Sequence, residues 1–377
     1  MNTIKFLHTS DWQLGMTRWF LTSEAQARFE EDRLAAIRRL GEIARDTQCE
    51  FIVVAGDVFE QNSVSPRTLG RARDVLASLG VDTYLLPGNH DPLTADSVLR
   101  RVADLPNVHL LDTDDPVPVR PGVELIGAPL RSKHPTTDLL AAALAPLSPH
   151  PPGTIRIAVG HGQAESRGGG ATIDLRCLED ALARRVVDYV ALGDTHSSEP
   201  VGSTHKVWFS GSPETTDFFD HATVGGGETN SGNALVVSLD SDGGIDVEEV
   251  PVGQWTFEAV SFDVNATADV DQFFAALDAY PAKSRTVVKY ALRGTLGVGD
   301  MRYLERGLEQ REPIFAGLYE RSRLTSLMVA PNEEELLELE LSGYANNALH
   351  ELLANDEDET AADALRLLFR LAKERTA

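Results

Sequence analysis

Phe51-Ile52-Val53-Val54-Ala55-Gly56-Asp57-Val58-Phe59-Glu60 is the stretch that decides how this chain is read. Its apolar run, Phe51 to Ala55, has the length and composition of a buried strand. Gly56 permits a sharp exit, and a carboxylate, Asp57, follows at once. A single Gly-Asp after a strand is ordinarily a turn, but here the pattern recurs. Upstream, Ile4 to Leu7 leads into Ser10-Asp11-Trp12-Gln13. Downstream, Thr83 to Leu86 precedes Gly88-Asn89-His90-Asp91, and Ile155 to Val159 precedes Gly160-His161-Gly162. Val187 to Leu192 precedes Gly193-Asp194-Thr195-His196. Ligand sites in open α/β sheets collect beyond the carboxyl ends of strands. Asp, Asn, Gln and His are oxygen and nitrogen donors suited to Mn²⁺, Mg²⁺, Fe or Zn²⁺.

Helical patterns separate these strands. Ser23-Glu24-Ala25-Gln26 has the form of a capping box and opens an amphipathic helix carrying Phe29, Leu34, Ile37, Leu40 and Ile43. Ser65-Pro66 starts a second helix, with proline in the first turn, ending near Leu79-Gly80. Two more are read around Thr137 to Leu144 and Leu175 to Ala183. The alternation implies an α/β core in which helices cover sheet. After about residue 198 the chain becomes β-rich, with strands at Val207 to Phe209, Ala234 to Leu239, Ile245 to Val250 and Phe257 to Val264. Thr223 to Gly232 reads as a flexible loop. From Asp269 a helix leads into a strand at Thr286 to Leu292, and residues 333–377 read as helical and charged.

The five clusters, in this order, resemble the signature of the calcineurin-like metallophosphoesterases. Within that superfamily, His8-Thr9-Ser10-Asp11-Trp12-Gln13-Leu14-Gly15 is similar to the opening of the SbcD-type DNA repair nucleases. So are Tyr189-Val190-Ala191-Leu192-Gly193 and Phe209-Ser210-Gly211-Ser212-Pro213-Glu214. The resemblance implies a two-sheet β-sandwich flanked by helices over 1–220, an α+β capping domain over 221–330 and a helical, partner-docking segment over 331–377. It also implies two divalent metal ions. Asp57 would bridge them, Asp11, Gln13 and His196 would hold the first, and Asn89, His161 and Asp194 the second. His90 would orient the scissile phosphate and help protonate the leaving oxygen. Two cations about 3.5–4 Å apart need one short shared anion, and a carboxylate supplies it.

Gln13 and Asp194 stand where that signature has histidine. Two oxygen donors in place of two imidazoles favour Mn²⁺ or Mg²⁺ over softer metals, so Mn²⁺ is the first expectation. Gln13 also leaves the first site open to weak occupancy, because a neutral amide oxygen is a poorer donor than imidazole. His8 is read as packing or hydrogen-bonding within its strand, Glu60 as a loop residue near Asp57, and Trp12 and Phe59 as walls of the site. His109, His134, His150, His205, His221 and His350 lack a neighbouring ligand pattern and are read as surface groups.

Bulk properties bound the function. The chain has 377 residues, and no apolar run approaches the roughly 18–20 residues of a bilayer span. It enters its first strand directly, without a secretory signal, and carries only two cysteines, Cys49 and Cys177, so a reducing cytoplasm is expected. Asp and Glu number 58 against 34 Lys and Arg, a formal charge of −24. That is the reverse of the basic footprint of a protein that grips DNA alone. Part of the excess is local, in Asn332 to Glu340 and Asn355 to Glu359. A nucleic-acid substrate would need a local groove, the metals or a partner.

Three functions are therefore carried forward. The first is an SbcD-like DNA exonuclease or endonuclease working with an SbcC-like coiled-coil ATPase, with a homodimer left open. The second is a phosphodiesterase or phosphatase for a small nucleotide, which the acidic charge favours. The third is a scaffold protein whose metal site has weakened. Leu365, Leu368 and Leu371 follow helical spacing. That stripe reads either as packing on the chain's own capping domain or as an ATPase-docking face.

Overall fold

A computed structural model describes residues 2–164, 173–220, 227–330, 341, 343–354 and seven positions (360, 361, 364, 365, 367, 368 and 371) further on. The chain divides into two compact units, Met1–Phe219 with Gly225–Phe257, and Asp220–Val224 with Glu258–Ala377.

The first unit begins with four parallel strands, β1 (Thr3–Thr9), β2 (Phe51–Val54), β3 (Asp82–Leu85) and β4 (Val108–Leu110). A second sheet follows with β5 (Val117–Arg120), β6 (Val123–Gly127), β7 (Ile155–His161), β8 (Tyr189–Gly193), β9 (Glu199–Val201) and β10 (Val207–Phe209). Its order is β5-β6-β7-β8-β10-β9, and β6, β7, β8 and β10 run parallel. After β11 (Phe219–Asp220), strands β12 (Asn233–Asp240) and β13 (Ile245–Pro251) return to the first sheet, giving β13-β12-β1-β2-β3-β4. β12 pairs antiparallel with β1, Leu7 opposite Val236.

Side-chain alternation builds a sandwich from these sheets. Ile4, Phe6, Phe51, Val53 and Tyr84 face Val123, Leu125, Ile157, Val159 and Tyr189 across the middle layer. Phe6 and Phe51 stack with centroids 5.2 Å apart. The alternate residues Leu7, Ile52, Val54 and Leu85 point outward, under helices α1 (Ser23–Asp46) and α2 (Pro66–Ser78). On the other side Ile126, Ala158, Val190 and Leu192 lie beneath α3 (Leu139–Leu144) and α4 (Leu175–Ala183). Strands buried on both faces require apolar runs without polar alternation, as Phe51 to Ala55 has. The expected two-sheet α/β fold is the one present.

Local chemistry explains the helix starts. Ser65 caps α2, accepting from Thr68 N, with Pro66 in the first turn. The capping box expected at Ser23 moves one residue back: Thr22 Oγ1 accepts from Ala25 N and is the cap. Gln26 serves the preceding loop, its amide donating to Met16 O and accepting from Arg18 N.

The expected boundary at residue 220 also moves. β12 and β13 lie in the first unit because β12 hydrogen-bonds along six residues of β1. The second unit has a sheet ordered β11-β14-β15-β16, with β14 (Thr256–Asp263), β15 (Thr286–Leu296) and β16 (Gly317–Glu320); β17 (Ser326–Val329) also pairs with β15. Helices α5 (Thr267–Asp278) and α6 (Val298–Arg311) cover it through Phe273, Phe274 and Leu304. The C-terminal leucines divide. Leu349, on α7 (Tyr344–Leu353), and Leu365 are buried with Val298, and Leu341, Leu352, Leu353 and Leu368 pack around them. Leu371 is exposed, while Leu336, Leu337 and Leu339 lie outside the described residues. Most of the described stripe is thus core of its own unit. No described helix is long and apolar enough to cross a membrane.

Leu349 is 1% exposed, so Leu349→Ala should cost about 2–5 kcal/mol. Differential scanning calorimetry should show a lower melting temperature for the second unit. Truncation after residue 330 should reduce solubility as well, because it uncovers Val298. An unchanged melting profile for both forms would mean the C-terminal leucines are not structural.

Candidate metal and phosphate site

Parallel pairing brings five strand ends to one edge of the sandwich. β1 delivers Asp11 and Gln13, β2 delivers Asp57, and β3 delivers Asn89 and His90. β7 and β8 deliver His161, Asp194 and His196 from the other sheet. Backbone bonds zip the first two loops together: Asp11 N donates to Gly56 O, Gln13 N to Asp57 O and Leu14 N to Val58 O, at 2.9–3.0 Å. Asp11, Gln13, Asp57 and Asp194 all have positive φ, between 45° and 95°. Non-glycine residues rarely adopt that backbone, at a cost of roughly 1–3 kcal/mol each, and such strain gathers at functional sites. Gly193 tolerates no side chain at all, since a Cβ there would lie 2.1 Å from Ala55 O.

All eight residues singled out from the sequence meet here. Donor atoms of Asp11, Asp57 and His161 lie within 4.8 Å of one another, a cluster that could hold a metal ion. His161 Nε2 is 3.4 Å from Asp57 Oδ2 and 3.7 Å from Asp194 Oδ1. The Asn89 amide is 2.7 Å from His161 Nε2 and, turned over, can donate to Asp57 Oδ2 at 3.1 Å. His196 Nε2 lies 3.9 Å from Asp11 Oδ1 and 3.1 Å from Gln13 Nε2. Gln13 Oε1 is buried and has no hydrogen-bond partner among the described residues. An orphaned amide oxygen on a side chain that reaches His196 fits a cation ligand, since burying it unpaired is otherwise costly.

Surrounding groups set the orientation of each imidazole. His161 Nδ1 donates to Ala55 O at 2.8 Å, which turns Nε2 toward the carboxylates. His196 Nδ1 donates to Glu228 Oε1 at 2.8 Å, with the same result. His90 N donates to Asp57 Oδ1 at 2.9 Å, and His90 Nδ1 donates to Glu60 O at 3.0 Å. His90 Nε2 is left on the partly exposed side, 4.0 Å from Asp57 Oδ2. Beneath the site, the Ser10 hydroxyl donates to Asp11 Oδ2, and Asp91 accepts from Phe59 N and Gly88 N.

Burial and mutual charge govern the protonation states. Burial pushes Asp11 up to about 6, against the pull of His196 and His161. It raises Asp194 as well. Burial works the same way on Asp57, but His161 and His90 overcome it and hold this carboxyl below its ordinary value. Burial alone would lower the two imidazoles. Asp57, Asp11 and Asp194 instead raise His161 well above its usual value, and Glu228 and Asp11 raise His196 to about 9. Each raised imidazole sits among carboxylates, an anionic set that a divalent cation would neutralise.

Several single-residue readings change. Trp12 and Phe59 are fully buried in the layer under α1 and α2, so they are core and not walls of the site. His150 is buried against Asp188 at 2.9 Å and is no surface group. His8 behaves as read, bonded to the Tyr189 hydroxyl and Leu192 O, and burial drives it down to about 3. His221 lies outside the described residues. Glu228 was legible only as a lone acid in a Gly-rich loop. Its carboxylate binds His196 and also accepts from the Thr216 backbone N–H and hydroxyl.

Residues 4–198 match the family described as calcineurin-like phosphoesterase. The chain belongs to that family. Among curated proteins it is similar to the SbcD component of the nuclease SbcCD from Escherichia coli K12, 28% identical over 253 residues, or 57% of this chain and 62% of that one. The SbcD component from Rhodobacter capsulatus is 34% identical over 119 residues, 29% of this chain and 27% of that one. The DNA double-strand break repair protein Mre11 of Archaeoglobus fulgidus is 30% identical over 96 residues, 25% of this chain and 20% of that one. The matches thus span between a fifth and three fifths of the relatives' lengths.

Glu228 offers the sharpest local test. If it sets the His196 tautomer for metal binding, Glu228→Ala should weaken Mn²⁺ affinity by roughly 10–100-fold. Calorimetric titration of the metal-free protein measures this directly, and circular dichroism checks that the fold is kept. Unaltered affinity in a folded variant would remove Glu228 from the site.

Proposed function

We propose that the protein is a metal-dependent phosphodiesterase acting on DNA, a nuclease of the SbcD kind. The observation that carries this reading is the convergence of Asp11, Gln13, Asp57, Asn89, His161, Asp194 and His196 at one sheet edge, with His90 beside them. Asp57 would be shared between two divalent ions, Mn²⁺ first among them. Asp11, Gln13 and His196 would complete one shell, and Asn89, His161 and Asp194 the other. Bound ions would supply Lewis acidity toward the phosphate and a water made nucleophilic near neutral pH.

The chain's own groups divide the remaining work. His161 and His196, each fixed through Nδ1, would offer Nε2 lone pairs to the ions. His90 is tied through Nδ1 to Glu60 O, so its reactive atom is Nε2. Protonated there, it would contact a phosphate oxygen and pass a proton to the departing alkoxide. The site opens into a cleft of about 320 Å³ bordered by Asn89, Leu130, His161 and Asp194. A cleft open at the surface suits a polymer strand better than an enclosed nucleotide pocket does. The similarity to the SbcD component of the nuclease SbcCD over 253 residues supports the same choice. An SbcC-like coiled-coil ATPase partner and a cytoplasmic location belong to the same proposal.

The test is Mn²⁺-dependent cleavage of labelled single- and double-stranded DNA, compared with a mononucleotide diester. DNA should be the better substrate. His90→Ala should keep its metal content while turnover falls by roughly two to four decades. Metal loss in that variant would make His90 a ligand. A clear preference for the mononucleotide diester would favour the small-nucleotide reading.

A further inference from the structure

The cleft beside the metal site has a wall that the eight site residues do not account for. It is formed by the loop after β6, through Leu130, Lys133, His134 and Pro135. β6 runs parallel to β7, Gly127 opposite Val159, so this loop leaves the sheet at the same edge as His161. Its start is fixed to the Gly88-Asn89-His90-Asp91 loop on both sides: Leu130 N donates to Pro87 O, and Leu93 N donates to Leu130 O at 2.7 Å. Ala128 N is held by Val159 O. Lys133 stands three residues beyond that anchor, within about 10 Å of chain.

This wall carries an ammonium and an imidazole, Lys133 and His134, and their place on the cleft sets them apart from other cations. The sequence has 28 Arg but only 6 Lys. Many described cations are engaged: Arg73 with Asp104, Arg120 with Glu50, Arg156 with Glu124, Lys206 with Gly243 O and Lys283 with Asp278 O. Lys133 and His134 are exposed, and neither has a hydrogen bond or ion pair with the described residues. An uncommitted ammonium and an imidazole thus face a cleft whose inner end is Asn89, His161 and Asp194. At a formal charge of −24, a polyanion is repelled over most of the surface. A local cationic wall is where a second phosphate would gain most.

We propose that Lys133 and His134 form a subsite for a phosphate next to the scissile one on a nucleic-acid strand. This rests on the phosphodiesterase reading and adds the class of substrate: a chain carrying at least one phosphate beyond the one cleaved. Lys133 supplies a point charge to the neighbouring phosphate, and His134 a ring donor beside it. In this assignment both act on the neighbouring phosphate, so their effect falls on substrate binding and not on the chemical step.

The experiment compares Lys133→Gln, His134→Gln and the wild type on two Mn²⁺-dependent substrates. Bis(p-nitrophenyl) phosphate has a single phosphate, and a short single-stranded oligonucleotide has several. Lys133→Gln should raise KM for the oligonucleotide roughly tenfold and flatten the slope of log KM against log salt by about 0.7. Hydrolysis of the small diester and the melting temperature should stay at wild-type values, and Lys133→Arg should restore oligonucleotide KM. Equal losses on both substrates, or no change on the oligonucleotide, would overturn the subsite while leaving the phosphodiesterase reading intact. A wild type inactive on both substrates would overturn that reading and the subsite with it.

Discussion

Asp57 is a carboxylate 2% exposed, and its negative charge must be met inside the protein. His161 from the second sheet lies 3.4 Å from it, and the His90 backbone N–H donates to it from the neighbouring loop of the first sheet. Three strand ends are thereby committed to one atom group. The zipped loops, the four left-handed backbone positions and the small residues around Ala55 follow from holding that group without solvent. The apolar sandwich beneath it makes such strain tolerable, because Phe51, Val53 and Ala55 leave the strand no alternative position.

The site was legible where chemistry and local pattern coincide. Each cluster follows an apolar strand directly, so its residues could be named before their distances were known. Glu228 was not legible, because it approaches His196 only after β12 has folded back against β1. That pairing sets Leu7 opposite Val236, a contact that local periodicity cannot reveal. The same long-range pairing moved the boundary expected at residue 220. Trp12 and Phe59 misled for another reason. An aromatic near a candidate ligand can point to either face of its loop, and both point into the core. In the second unit, α6 buries only Val298, Leu304 and Gly307, too sparse a stripe to announce a helix.

Charge links site and surface. A strongly acidic chain of a phosphoesterase family needs cationic character concentrated where a phosphate would sit. Bound divalent ions would do so at Asp57, and Lys133 and His134 extend it along the adjoining cleft. Gln13 fits the same distribution of charge. Its orphaned oxygen would add a neutral ligand to Asp11 and Asp57, so the first ion would be held by oxygen donors and one imidazole, a set suited to Mn²⁺.

Everything proposed for the site requires Asp57 to be the anion that two metal ions share. The most direct measurement is metal stoichiometry in Asp57→Asn, by elemental analysis after equilibration with Mn²⁺, beside the wild type. The wild-type chain should bind two ions, and a variant that remains folded should lose at least one together with all diesterase activity. A folded Asp57→Asn protein that still binds two ions and turns over normally would contradict it.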